Sequence, residues 1–228
     1  MKKDKFGYYV FALGFAGYMA RRLLYTVAVD SRGLLAPWHG LEVALWVLTA
    51  AAAVLALTAK PVAQTPKPWV GPVGCWFAAI GMLFACQDLE TGFPVLLRLL
   101  KIAGPLAALA LAWAGWRRWK GQPPIPALWA FVCLVLVIRL VAAYQTWSRE
   151  PQMMDYVFSL LASLCFAGFA YQQAARELGM PASWRARLGL LGGYFGLVAG
   201  TGRQALFFYT LMACGVLLPL LSGEETAC

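Results

Sequence analysis

The chain of 228 residues is 61% hydrophobic and only 13% charged, and its mean hydropathy is +0.67. This composition excludes a soluble globular protein and leaves no room for a separate soluble domain. The formal net charge is +9, but the basic residues stand in small groups between apolar runs, which argues against nucleic acid as a partner. Continuous apolar runs, rather than alternating ones, favour helices over a membrane barrel. We therefore expect an all-α polytopic transmembrane bundle, with residues 1–228 as a single integral membrane domain.

Four apolar runs occupy the first half of the chain, at about 6–29, 38–59, 69–87 and 93–116. The first follows a basic start but lacks a small-residue cleavage site, so we expect it to be retained as a span. The second is closed by KPVAQTPKP, because proline disfavours helix at the residue before it. We expect the basic segment RRWKGQPP to end the fourth.

A polar, aromatic-rich turn from Arg139 to Asp155 separates the fifth and sixth runs, PPIPALWAFVCLVLVIRLVAAY and YVFSLLASLCFAGFAYQQAAR. Each run is long enough to cross a hydrocarbon core of ~30 Å at about 1.5 Å per helical residue. The segment ARELGMP, in which glycine is followed by proline, is typical of a helix end and closes the sixth run.

The last apolar region, 187–221, is too long for one span of ~20 residues and short for two. The polar segment GTGRQ, from Gly200 to Gln204, divides it. We therefore predict eight spans, with seven as the alternative if this region forms one long tilted helix.

The distribution of Lys and Arg predicts the orientation in the membrane. The odd-numbered linkers carry only Arg32, Arg149 and Arg203. The start of the chain and the even-numbered linkers carry many more: Lys2, Lys3, Lys5, Lys60, Lys67, Arg117, Arg118, Lys120, Arg176, Arg185 and Arg187. Because short loops rich in Lys and Arg stay in the cytoplasm, these segments are predicted to be cytoplasmic, which places both termini of eight spans inside the cell.

Two long segments, RRLLYTVAVDSRGLLAPWHGLEVALW and YQTWSREPQMMDYVFSLLASLCFAGFAYQQAA, resemble a group of small multi-span bacterial membrane proteins of unknown function. The resemblance spans most of the chain. It implies a bacterial cytoplasmic membrane as the location, and it carries over neither site residues nor an activity.

The predicted outer side gathers charged and aromatic residues that together fit a shallow ligand pocket. Arg139 lies about two turns inside its span, where a cation needs a partner or water. Cations there would hold a carboxylate, a phosphate or a lipid head, and aromatic rings would form the walls. The candidate ligand-binding residues are Arg21, Arg22, His39, Glu42, Arg98, Lys101, Arg139, Tyr144, Trp147 and Asp155.

The same residues admit a plainer interpretation. Long cationic side chains near helix ends reach the lipid head groups, Trp and Tyr form interfacial belts, and ion pairs tie helices together. If Arg139 pairs with a buried carboxylate, Asp88 and Asp155 are the candidates.

Glycines at four-residue spacing mark the seventh helix: Gly192, Gly196 and Gly200. Glycines so placed leave a flat strip that lets another helix approach closely. We expect the strip to serve packing inside the bundle, with dimerisation as the alternative.

No segment carries a catalytic or cofactor signature. His39 is the only histidine and the six cysteines form no CxxC pair, so we expect neither a metal site nor a cofactor. Signatures of serine hydrolases and phosphate-binding loops are missing from the sequence.

These patterns favour a binding protein over an enzyme. The leading expectation is binding or translocation of a small anionic or amphipathic molecule through an outward-facing polar pocket. The alternative is a non-catalytic membrane subunit that holds a membrane protein partner, and the third is an enzyme acting on lipid head groups. The lipid bilayer is the partner common to all three.

Overall fold

The computed structural model describes residues 6–27, 40–59, 69–86, 89, 94–147, 153–201 and 206–221. These residues form eight α-helices: α1 (Phe6–Val27), α2 (Gly40–Thr58), α3 (Val70–Leu83), α4 (Pro94–Trp119), α5 (Pro126–Trp147), α6 (Met153–Glu177), α7 (Arg185–Ala199) and α8 (Leu206–Leu221). The predicted all-α bundle is confirmed. The division of the last apolar region into two helices is confirmed as well.

Four helices, α2, α4, α5 and α6, are long and apolar enough to cross a membrane. Two others, α3 and α8, are apolar but shorter. The length and composition of these helices indicate a membrane protein.

The fourth helix ends later than the sequence predicted. It continues through the basic cluster to Trp119, because Lys and Arg in a last turn interact favourably with the exposed carbonyl groups and the helix dipole. The stop is Gly121, whose φ of +65° only glycine adopts readily. Its N–H donates to the carbonyl of Arg118 at 3.1 Å, and the N–H of Gln122 donates to the carbonyl of Arg117 at 2.9 Å. Gly179, with a φ of +76°, ends α6 in the same manner, as ARELGMP predicted.

Helices α3 to α8 form a closed ring in which each helix contacts the next and α8 returns to α3. Outside the ring, α1 packs on α2 and α7, and α2 also reaches α7. Helix α7 therefore has α1, α2, α6 and α8 as neighbours, and most of its residues are buried.

Close packing around α7 depends on the absence of side chains on one strip. A Cβ atom at Gly196 would lie 2.7 Å from Cζ of Phe166, and one at Gly192 would lie 3.1 Å from Cδ1 of the same ring. A Cβ atom at Gly200 would lie 2.5 Å from Oγ1 of Thr210. The glycine strip thus lies against α6 and α8 of the same chain.

Different helix ends meet at the two ends of the bundle. The last turns of α4 and α6 and the first turn of α7 meet at one end, called here the basic end, which carries Arg118, Arg176 and Arg185. Arg21 and Arg139 lie towards the other end, called here the opposite end. The basic end is the one that the distribution of Lys and Arg predicts to be cytoplasmic.

Candidate functional site

The residues predicted to share an outward pocket occupy different environments at the opposite end. Arg21 and Arg139 are buried, and Glu42 is half-buried. The exposed members are Arg22, Arg98, Lys101 and Tyr144. His39 lies outside the described residues, as do the side chains of Trp147 and Asp155.

Arg139 is fully buried where α3, α5, α6 and α8 approach one another. Its Nε donates to the carbonyl of Ala85 at 3.0 Å, and one terminal nitrogen donates to Ser163 Oγ and to Tyr209 OH, each at 3.0 Å. The guanidinium carbon lies 3.8 Å from the centre of the Phe208 ring. Ala85 follows the end of α3, so the cation caps a carbonyl group that the helix leaves open.

Arg21 joins α1, one of the two helices outside the ring, to α7. One of its terminal nitrogens donates to the carbonyl of Val198 at 3.0 Å, and the other donates to Tyr25 OH at 3.1 Å. Nearby, the hydroxyl groups of Thr49 and Tyr194 lie 2.9 Å apart and join α2 to α7. These buried groups hold helices together through carbonyl and hydroxyl partners. The pairing of Arg139 with Asp88 or Asp155 stays a prediction, because neither carboxylate is described.

A cavity of about 520 Å³ opens at the basic end, within the ring of helices α3 to α8. Its base is apolar and includes Leu136, Phe166 and Met212. Leu136 lies ten residues beyond Pro126, where α5 begins, so the cavity reaches about 15 Å into the bundle at 1.5 Å per residue. Among the lining residues that the structure describes, none belongs to the predicted outward pocket.

The mouth of this cavity is built from a hydrogen-bonded network that joins three helices. Arg118 of α4 forms an ion pair with Oε1 of Glu177 at 3.0 Å. The amide nitrogen of Gln173 donates to the same oxygen at 3.2 Å. Arg185 of α7 donates to the amide oxygen of Gln173 at 3.0 Å. The guanidinium of Arg118 also lies over the ring of Trp129, 5.4 Å from its centre.

Two of the residues that line the cavity each have a buried polar atom without a hydrogen-bond partner in the described part of the chain. One is Oε2 of Glu177, whose side chain is only 5% exposed. The other is the indole nitrogen of Trp129, a residue that is 6% exposed. Both atoms lie beneath the surface of the cavity, since each has almost no accessible surface of its own.

The site was not predicted from the sequence, because its basic residues were interpreted as signals of the orientation in the membrane. Arg118, Arg176 and Arg185 all belong to linkers that were assigned to the cytoplasm. Glu177 was the available clue, since it is the only acidic residue between Asp155 and Glu224 and stands at the end of a span beside a basic linker.

The fold and the cavity define the class: a helical membrane protein with an apolar chamber behind a polar mouth. Comparison of the chain with protein-family models, with curated proteins and with solved structures gives no match.

Proposed function

We propose that the protein binds a small anionic or amphipathic molecule in the cavity at the basic end. It does so in a bacterial cytoplasmic membrane that the chain crosses eight times, with both termini and the mouth of the cavity in the cytoplasm. The observation that carries this proposal is the arginine-rich mouth above an apolar base. The cavity has stronger support than an outward pocket, whose two buried members, Arg21 and Arg139, are engaged with carbonyl and hydroxyl groups.

The charge at the mouth favours an anion. The charged residues among the described lining are three arginines, Arg118, Arg176 and Arg185, and one carboxylate, Glu177. Arginine recognises carboxylate and phosphate groups through paired N–H donors. An anionic head group would therefore be stabilised at the mouth.

The size and the base of the cavity favour an apolar tail of limited length. Its volume of about 520 Å³ lies within the range typical of ligand sites, ~300–1,000 Å³. This is room for a small amphipathic molecule.

The short helices are compatible with eight crossings. Helices α3 and α7 have 14 and 15 residues, which correspond to only about 21 and 22 Å at 1.5 Å per residue. Both are largely buried against other helices. Their ends therefore meet protein and the polar mouth, where non-helical backbone is tolerated.

A thermal unfolding experiment on the detergent-solubilised protein tests the binding proposal. We expect dodecyl phosphate, in large excess over its Kd, to raise the Tm, because a ligand that prefers the native state stabilises it. A hundredfold excess corresponds to about 2.7 kcal/mol, or roughly 5 to 10 °C. Dodecanol, which has the same chain and no charge, should give a much smaller shift.

Two matched arginine variants test whether dodecyl phosphate binds in the cavity or elsewhere on the protein. Arg185→Gln should reduce the shift caused by dodecyl phosphate, whereas Arg98→Gln, an exposed residue of α4 at the opposite end, should retain it. Equal shifts in the two variants would refute the cavity as the binding site. No shift in the wild type would favour the alternative of a membrane subunit that holds a protein partner.

A further inference from the structure

A second concave surface, called here the outer groove, lies on the outside of the ring between α4 and α5. Among the residues that the structure describes, it shares no lining residue with the cavity. Its α4 side follows one face of the helix, because residues three and four positions apart are neighbours on a helix surface. The large apolar side chains that line it are Leu106, Leu109, Trp113 and Trp116 of α4 and Leu128 and Phe131 of α5.

The length of the outer groove matches one leaflet of a bilayer. From Leu106 to Trp116 it covers ten residues, or about 15 Å at 1.5 Å per residue. This is half of a hydrocarbon core of ~30 Å. Leu106, Trp113 and Trp116 are each about half exposed, so the groove is open to the surrounding lipid. An acyl chain that lies along it therefore has its head group beside Trp116, at the basic end.

Two cations stand where that head group would lie. Arg117 follows Trp116 directly, and its guanidinium donates twice to the carbonyl of Pro123, at 2.8 and 3.1 Å. The ammonium of Lys120 lies over the Trp116 ring, 5.2 Å from its centre. Lys120 is exposed and forms no ion pair in the described part of the chain. Since a carbonyl group and an aromatic ring have no net charge, these contacts position the two cations without neutralising them.

We propose that the outer groove is a binding site for an anionic phospholipid of the leaflet at the basic end. One acyl chain lies against the apolar side chains between α4 and α5, and the phosphate lies beside Lys120 and Arg117. Basic residues at a membrane surface attract anionic lipids, and Trp side chains favour the boundary between acyl chains and head groups. The proposal does not depend on a ligand in the cavity.

Two lipids with the same acyl chains and different head groups test the proposal. The full chain in detergent is titrated with phosphatidylglycerol, which has a net negative charge, and with phosphatidylcholine, which has none, and binding is followed by thermal shift. Each Lys or Arg near an anionic lipid corresponds to about fivefold in affinity. With two such cations, we expect phosphatidylglycerol to bind roughly tenfold to thirtyfold more tightly. Equal affinities would overturn the proposal.

Lys120→Gln and Lys101→Gln form a matched pair on α4. Both lysines are exposed, but Lys101 lies near the start of the helix, far from the head of the groove. Lys120→Gln should reduce the preference for phosphatidylglycerol about fivefold, whereas Lys101→Gln should leave it unchanged. Lys120→Arg, which keeps the charge, should retain the preference. Equal reductions in the two glutamine variants would overturn the proposal, because the lipid would then respond only to the overall charge of the protein.

The apolar part of the site is tested by filling it. Ala112 lines the outer groove and is half-buried, so a phenyl ring placed there occupies the space of the acyl chain. Ala112→Phe should weaken the binding of phosphatidylglycerol several-fold, and Ala50→Phe, at an exposed position of α2, should not. Full affinity in Ala112→Phe would overturn the groove as the site. So would a dimer that Ala112→Phe converts to a monomer without changing lipid binding, which would assign the groove to a second copy of the chain.

Arg185→Gln separates the outer groove from the cavity. Arg185 lines the cavity and not the groove, so this variant should keep the preference for phosphatidylglycerol while its response to dodecyl phosphate falls. Loss of the lipid preference in Arg185→Gln would place the phospholipid in the cavity and overturn the proposal made here. A lipid preference in a wild type that dodecyl phosphate does not stabilise would leave the groove site standing and refute the cavity.

Discussion

At the scale of single residues, the clearest case is the buried cation of α5. The depth of Arg139 within its span could be predicted from the sequence, because an arginine two turns inside an apolar run needs polar partners. The partners themselves could not. Ser163 and Tyr209 lie on two other helices and Ala85 follows the end of a third, and serine or tyrosine in an apolar run is usually unremarkable.

The hydrogen bond between Arg139 and Tyr209 gives a prediction about stability. Tyr209→Phe removes the hydroxyl acceptor and keeps the ring beside the guanidinium. We expect a loss of about 1 to 3 kcal/mol in the free energy of unfolding, because a buried charged donor loses one of its acceptors. Tyr171→Phe, on the exposed face of the neighbouring α6, should change it by less than about 0.5 kcal/mol. Equal stability of the two variants in a denaturant titration would contradict a structural role for this contact.

At the scale of helices, the sequence predicted the glycine spacing of α7 but not the neighbours that the glycines meet. Three glycines spaced four residues apart indicate a flat strip. Such a strip fits a helix from a second copy of the chain as well as a helix of the same chain. The structure places Phe166 of α6 and Ala213 of α8 against Gly196. Which helix fills the strip depends on the closure of the ring, which no local pattern encodes.

The packing at Gly196 predicts a large effect of a single methyl group. A Cβ atom there would lie 2.9 Å from Cβ of Ala213 and 3.0 Å from the carbonyl oxygen of Tyr209, and neither atom can turn away. We expect Gly196→Ala to destabilise the bundle by about 1 to 3 kcal/mol, as overpacking does. Gly40→Ala, at the start of α2 where a Cβ meets nothing within 4 Å, should be neutral or slightly stabilising.

Thermal unfolding combined with size-exclusion chromatography in detergent checks this prediction. A lower Tm at unchanged oligomeric size is the expected result for Gly196→Ala. An unchanged Tm accompanied by loss of a dimer would instead assign the strip to self-association.

At the scale of the whole molecule, the number of helices was predictable and the cavity was not. Apolar runs and their Gly and Pro breaks fix where helices begin and end, so eight helices follow from the sequence with small errors at the boundaries. The cavity arises where distant residues converge: Arg118 and Glu177, which form the ion pair at its mouth, are 59 positions apart. Without aligned relatives, no signal in one sequence brings that pair together.

The orientation of the whole bundle decides which compartment the cavity faces, and cysteine labelling measures it. After removal of the native cysteines, single cysteines at Gln64, Gln122 and Ala182 should stay protected from an impermeant thiol reagent in intact cells, because they lie in linkers predicted to be cytoplasmic. Cysteines at Thr91 and Ser148 should react. In inverted membrane vesicles the pattern should reverse, which shows that the protected positions are accessible from the inside. Labelling at Gln122 in intact cells would place the mouth of the cavity outside, since Gln122 itself lines it. The ligand would then enter from the external medium, and dodecyl phosphate added to intact cells should slow the labelling of Gln122.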